Sequence, residues 1–186
     1  MSGRRFENAV KSAVAIAQAA SMTTGIRVQI SFRGTANLQN KEKAVTIYAY
    51  DSAHDKMTKI KTYFKFIKVF GMTPEGIAFE SIFDFIKQDA KSDECIFINY
   101  SDGVPSRLSG VCSQYSGTRF TKKVVNKMRE IGINVIGYFI DGSNSGWEHD
   151  YFKYMYGADS EFIDTTNMIK VSKSINRKFL EIADQI

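Results

Sequence analysis

Three groups of oxygen-bearing side chains stand at the ends of apolar runs in this sequence. Thr73 lies in the turn Gly71-Met72-Thr73-Pro74-Glu75-Gly76. Ser101 and Asp102 directly follow the apolar run Cys95-Ile96-Phe97-Ile98-Asn99-Tyr100. Asp141, Ser143 and Ser145 follow a second apolar run, from Ile133 to Ile140, in the spacing Asp-x-Ser-x-Ser. Hydroxyls and carboxylates without imidazole or thiolate suit a hard cation such as Mg²⁺ or Mn²⁺, which keeps water and takes few protein ligands. Zinc is not expected, because His54 and His149 stand alone and Cys95 and Cys112 form no ligand pair. The signatures of common enzymes are absent. No Gly-x-x-x-x-Gly-Lys or dinucleotide fingerprint occurs. Gly142-Ser143-Asn144-Ser145-Gly146 centres on asparagine, so it is no nucleophile elbow. An enzymatic reading would be a Mg²⁺-dependent hydrolase or phosphotransferase acting through Asp102 and Asp141.

A second chemical feature is basic. Lys56, Lys59, Lys61, Lys65 and Lys68 interleave with Ile60, Tyr63, Phe64, Ile67 and Phe70. The apolar spacing predicts an amphipathic helix over 56–70 with a lysine-rich outer face. Such a face is ordinarily solvated, and it could alternatively meet nucleic acid. The net charge of +5, from 25 Lys+Arg against 20 Asp+Glu, permits an acidic partner without demanding one.

The elements that must position these groups alternate along the chain. Helices are expected over 3–21, from 77 to about 90, near 118–131, over 147–156 and from 167 to 183. Strands are expected over 26–32, 44–50, 95–100, 133–140 and 161–164. Residues 33–43 read as a polar connection short enough for an antiparallel hairpin between the first two strands. Buried apolar strands separated by helices predict a mostly parallel sheet covered on both faces, a three-layer Rossmann-like α/β fold. In such sheets, ligands bind at the carboxyl ends of the strands, where the three oxygen clusters fall.

The 186 residues bound the answer to one domain with an adequate core. A 44% hydrophobic and 24% charged composition is that of a globular protein, and 2 prolines and 13 glycines exclude collagen-like or proline-rich sequence. No run of about 18 apolar residues predicts a membrane span. Met1-Ser2-Gly3-Arg4-Arg5 carries no apolar stretch, so no signal peptide is expected and the cytoplasm is the expected compartment. Free thiols fit that compartment.

The strand ending in Ser101-Asp102-Gly103-Val104-Pro105, together with the turn bearing Thr73, resembles a von Willebrand factor A-type domain. Within that family the resemblance is nearest to the cobalt chelatase subunit CobT and related bacterial and phage proteins. It implies a metal-ion-dependent adhesion site in which Thr73 and Asp102 help hold Mg²⁺ or Mn²⁺. It also implies a protein-binding module rather than an enzyme. A partner carboxylate would complete the coordination, and the partner would plausibly be a ring-shaped ATPase. The family's third ligand group is Asp-x-Ser-x-Ser after a first, central strand, continued as Met-x-Gly and a helix. Met1-Ser2-Gly3 matches that continuation. The first strand and its ligands would therefore lie before Met1, which makes this chain an N-terminally truncated domain with an incomplete metal site. Reading the in-frame DNA upstream tests that expectation. The literal Asp141-x-Ser143-x-Ser145 could be a turn of small residues, a contribution to the site rim together with Ser101, or the metal motif of a permuted domain.

Overall fold

The computed structural model describes residues 3–91, 94–105, 114–140 and 146–163, together with Lys173 and Arg177. Helix α1 (Gly3–Ser21) precedes strands β1 (Gln29–Leu38) and β2 (Lys41–Asp51). The short helix α2 (Met57–Tyr63) and a 3-10 turn over Phe64–Phe66 follow, then α3 (Glu75–Asp89) and β3 (Ile96–Ser101). Helix α4 (Gln114–Glu130), β4 (Asn134–Ile140), α5 (Gly146–Tyr156) and β5 (Ser160–Ile163) complete the described part. Of the expected last helix, 167–183, only Lys173 and Arg177 are described, both helical; Cys112, Asp141, Ser143 and Ser145 lie outside the described residues.

The fold is mixed α/β, but its strands form two sheets rather than one. β1 and β2 pair as an antiparallel hairpin, and β3, β4 and β5 pair in parallel, with β4 central. The expected polar connection is mostly strand: the hairpin extends to a two-residue turn at Gln39 and Asn40, both at positive φ. Asparagine tolerates that region because its side chain can bond locally, and two such residues match the right-handed twist of the flanking strands.

Apolar clusters place helices on both faces. Phe79, Val125, Met128, Phe139 and Phe152 form the largest core, joining α3, α4 and α5 to one face of β4. On the opposite face, Ile136 and Tyr138 pack with Ile16 of α1 and with Ile96, Ile98 and Tyr100 of β3. Helix α1 also packs against the hairpin and α2, with Ala17 in one cluster with Ile30 and Tyr50 of the hairpin and Ile60 of α2. Helix α3 reaches both sheets as well: Phe85 meets Tyr48 edge-on at 5.4 Å, and Phe79 meets Phe97 at 5.0 Å. The sheets are thus bridged by α1 above and α3 below. Among the described residues no helix is long and apolar enough to cross a membrane.

Ion pairs lock the entry to β1. Arg27 donates to Asp51 through Nε at 3.0 Å and Nη2 at 2.6 Å, and through Nη1 to Asp89 at 3.0 Å. The Arg27 hydrogen bonds, with the Ala53 amide, hold the buried Asp51 carboxyl at about 2, below its ordinary value of 3.8. A carboxyl depressed on folding contributes stability that is complete above its unfolded pKa and lost as pH falls through the folded one. The expected result is a loss of unfolding free energy between about pH 4 and pH 2. Asp51→Asn should flatten that part of a urea-midpoint profile against pH. An unchanged slope would remove Asp51 from the acid response.

Candidate functional site

The turn before α3 and the loop after β3 carry the expected oxygen ligands. Both open onto one cavity of about 950 Å³, whose lining includes Thr73, Ser101 and Asp102. Thr73 and Asp102 are half-buried. Ser101 is buried, and its hydroxyl donates to the Gly103 carbonyl at 3.2 Å, closing the turn that presents Asp102. The structure therefore places Thr73 on the same cavity as the adjacent pair Ser101 and Asp102, which lie far from it in sequence. Their donor set is hard oxygen, the right type for Mg²⁺ or Mn²⁺, but it contains a single carboxylate. Among the described residues no group of three or more His, Cys, Asp or Glu could hold a metal ion.

The turn bearing Thr73 is held down on β1. Gly71, at φ +56°, sits so close to Thr35 that a Cβ there would lie 2.3 Å from its carbonyl oxygen. The Met72 amide donates to the Thr35 hydroxyl at 2.8 Å, and that hydroxyl donates to Glu42 at 2.9 Å. Pro74 then stands at the cap of α3, where no side-chain bond caps the helix. Thr73 thus follows a turn that is held on β1 and precedes Pro74.

Beneath these loops lies a buried polar network that the sequence reading did not single out. Glu75, Asn99 and Tyr156 are almost completely buried. Arg33 pairs with Glu75 through Nη2 at 3.0 Å, and its Nη1 donates to Asn99 Oδ1 at 2.6 Å. Asn99 donates through Nδ2 to both Glu75 and the Tyr156 hydroxyl. That hydroxyl donates to Glu75 at 3.0 Å. Burial, then the neighbouring Glu75 charge, pushes the Tyr156 phenol far above its ordinary range, so it stays a neutral donor. Glu75 is two residues from Thr73 and Asn99 is three from Asp102, so the network ties the two loop supports together. One sequence signal could have found it: Asn99 is the one amide side chain in the otherwise apolar run from Cys95 to Tyr100. Tyr156 also serves packing in α5. It packs against Gly137, where a Cβ would stand 2.6 Å from its ring.

The lysine-rich segment is not one helix. It breaks into α2, a 3-10 turn and an extended stretch from Ile67. The reason is packing: Ile60 and Phe64 are buried in the hairpin core, and β1 captures the following segment as Phe70 closes on Gly34. The lysines therefore do not share a single stripe. Lys59 pairs with Asp55 at 2.7 Å, Lys65 lies over the Phe66 ring, and Lys68 lines the cavity. Lys56, at the cap of α2, and Lys61, in its last turn, are exposed. Cys95 is a free thiol whose pKa is raised by burial and by Asp89, the opposite of an activated nucleophile.

No protein-family model matches this chain, and no curated protein matches it either.

Proposed function

We propose that this chain is a protein-binding module of the von Willebrand A type, in which a divalent cation and a partner carboxylate meet at the cavity mouth. One observation carries the reading: Thr73, from the turn before α3, and Ser101 and Asp102, from the end of β3 and the loop after it, line the same cavity. Thr73 and Asp102 would hold Mg²⁺ or Mn²⁺, directly or through water. The cation would supply a fixed positive charge for an acidic group on the partner. A ring-shaped ATPase in the cytoplasm is the partner that the CobT-like resemblance implies. The hydrolase alternative needs Asp141 beside Asp102, and Asp141 lies outside the described residues, so binding is proposed on the resemblance and on the hard-oxygen donors at the cavity.

A donor set with one carboxylate binds a hard cation weakly, since affinity rises with ligand charge and number. Titration calorimetry with MgCl₂ and MnCl₂ is therefore expected to show weak binding that Asp102→Ala abolishes and Thr73→Ala reduces. Heat that is unchanged in Asp102→Ala would overturn the site.

A further inference from the structure

Beyond α2 the lysine segment keeps a period of three. Phe64, Ile67, Phe70 and Thr73 turn inward, and the positions between them are exposed pairs: Lys65-Phe66, Lys68-Val69 and Gly71-Met72. The backbone accounts for the period. The turn over Phe64–Phe66 is a 3-10 helix, with three residues per turn. At Ile67 the chain passes to φ −71° and ψ 122°, near the polyproline II region, which also has three residues per turn. The inward residues hold it in place: Phe64 and Ile67 pack in the hairpin core, and Phe70 closes on Gly34.

The outward positions sort by chemistry into two rows. One row holds Thr62, Lys65, Lys68 and Gly71, and the row beside it holds Tyr63, Phe66, Val69 and Met72. Tyr63 and Phe66 are 60% and 68% exposed, so their rings stand out from the surface instead of lining a groove. Val69 and Met72 are exposed too, and with Lys68 they border the cavity. No Asp or Glu occurs from Lys56 to Pro74. The nearest acid, Asp55, is held by Lys59. Among the described residues Lys56, Lys61, Lys65 and Lys68 have no carboxylate partner. A basic row thus runs beside a protruding apolar one, with no local counter-charge.

We propose that this ridge is a contact site for an anionic lipid surface. Tyr63, Phe66, Val69 and Met72 enter the headgroup boundary, while Lys61, Lys65 and Lys68 meet the lipid phosphates and carboxylates. Charge complementarity selects a negative partner, and a continuous apolar row selects one that can bury it. Long lysine stems can lie along the apolar row while their ammonium groups stay at the wet headgroup level. Single-stranded nucleic acid would ask for free ring faces on which successive bases stack. Two of the four apolar residues have no ring, Lys65 already covers the Phe66 ring at 5.0 Å, and the segment carries no Arg, Asn or Gln to read a base edge. A folded acidic partner would have to offer a matching pocket for each protruding ring, whereas the soft bilayer boundary accepts them as they stand. The contact involves no membrane span and is independent of the cation reading.

The test is flotation of the full chain, in buffer without Mg²⁺, with vesicles of equal parts phosphatidylcholine and phosphatidylserine and with phosphatidylcholine alone. The chain is expected to float with the mixed vesicles only and to be released by salt, which screens exposed charges. Lys65→Gln combined with Lys68→Gln should weaken partitioning on the order of tenfold. Phe66→Ser should weaken it by about tenfold through the lost apolar contact. All three side chains are exposed, so calorimetric melting is expected to stay unchanged and to separate binding from folding. Lys41→Gln combined with Lys43→Gln removes the same charge from the exposed end of the hairpin and should leave partitioning near its original value. Absence of flotation with the mixed vesicles overturns the ridge. An equal loss in the hairpin pair also overturns it, in favour of adsorption by net charge. Undiminished binding by Phe66→Ser overturns the insertion of the apolar row. Binding of a single-stranded oligonucleotide that the Lys65 and Lys68 substitutions abolish, without flotation, overturns it in favour of nucleic acid.

Discussion

Glu75→Ala is expected to lower the free energy of unfolding by about 3–5 kcal/mol, the cost of breaking a buried ion pair by removing one partner. The Arg33 guanidinium would lose its carboxylate while still enclosed, its side chain being 18% exposed. The Tyr156 hydroxyl and the Asn99 amide would lose an acceptor in the same substitution. Glu75→Gln keeps an oxygen at the hub and removes only the charge, so its cost should be smaller, about 1–3 kcal/mol. Urea unfolding with an unchanged dependence on denaturant is the check, because it separates stability from a change in the denatured chain. A loss below about 1 kcal/mol in Glu75→Ala would mean that water takes over the carboxylate's bonds, and the network would not be a structural hub. Because Glu75 and Asn99 flank the loops of Thr73 and Asp102, cation binding should fall with stability.

Gly71→Ala should cost about 2–5 kcal/mol. About 1–2 kcal/mol comes from forcing an L-residue into the left-handed region. The rest, about 1–3 kcal/mol, comes from the collision with Thr35. The new Cβ would lie 2.3 Å from both the carbonyl and the hydroxyl oxygen of Thr35, so main chain must move and the Met72 bond must break. Gly132→Ala is the control. Its φ is also positive, at +87°, but nothing lies within 4 Å of the added atom. Calorimetric melting of the two variants separates strain from collision. Equal losses would show that Thr35 yields freely and that the turn carrying Thr73 is not clamped to β1.

Much of the secondary structure was legible locally. Helix α1, strands β3 and β4, and the aromatic helix α5 follow from apolar patterns that a single segment carries in itself, although only β4 is buried along nearly its whole length and β3 is mostly half-buried. The hairpin was legible as a possibility, while its length was not. Residues 33–43 look polar because Gly34, Thr35 and Asn37 carry no apolar side chain, yet cross-strand pairing holds them in β1 and buries Gly34 and Thr35. The lysine segment misled for the opposite reason. Its helical spacing is real, but burial of Ile60 and Phe64 and the closure of Phe70 onto Gly34 end the helix early. Of the expected ligands, Thr73, Ser101 and Asp102 converge on one cavity. The Arg33–Glu75–Asn99–Tyr156 network escaped notice because its members come from four elements and form no motif.

The sequence by itself determined the alternation of helices and strands, the apolar faces that cover the sheets, and the oxygen character of the residues at the strand ends. These are properties of neighbours in the chain, set by side-chain period and turn chemistry. Only the tertiary structure decided that the strands divide into two sheets and that a polar network joins the Thr73 and Asp102 loops. Those features depend on which backbone groups find partners across distant segments, and no local pattern of side chains records that pairing.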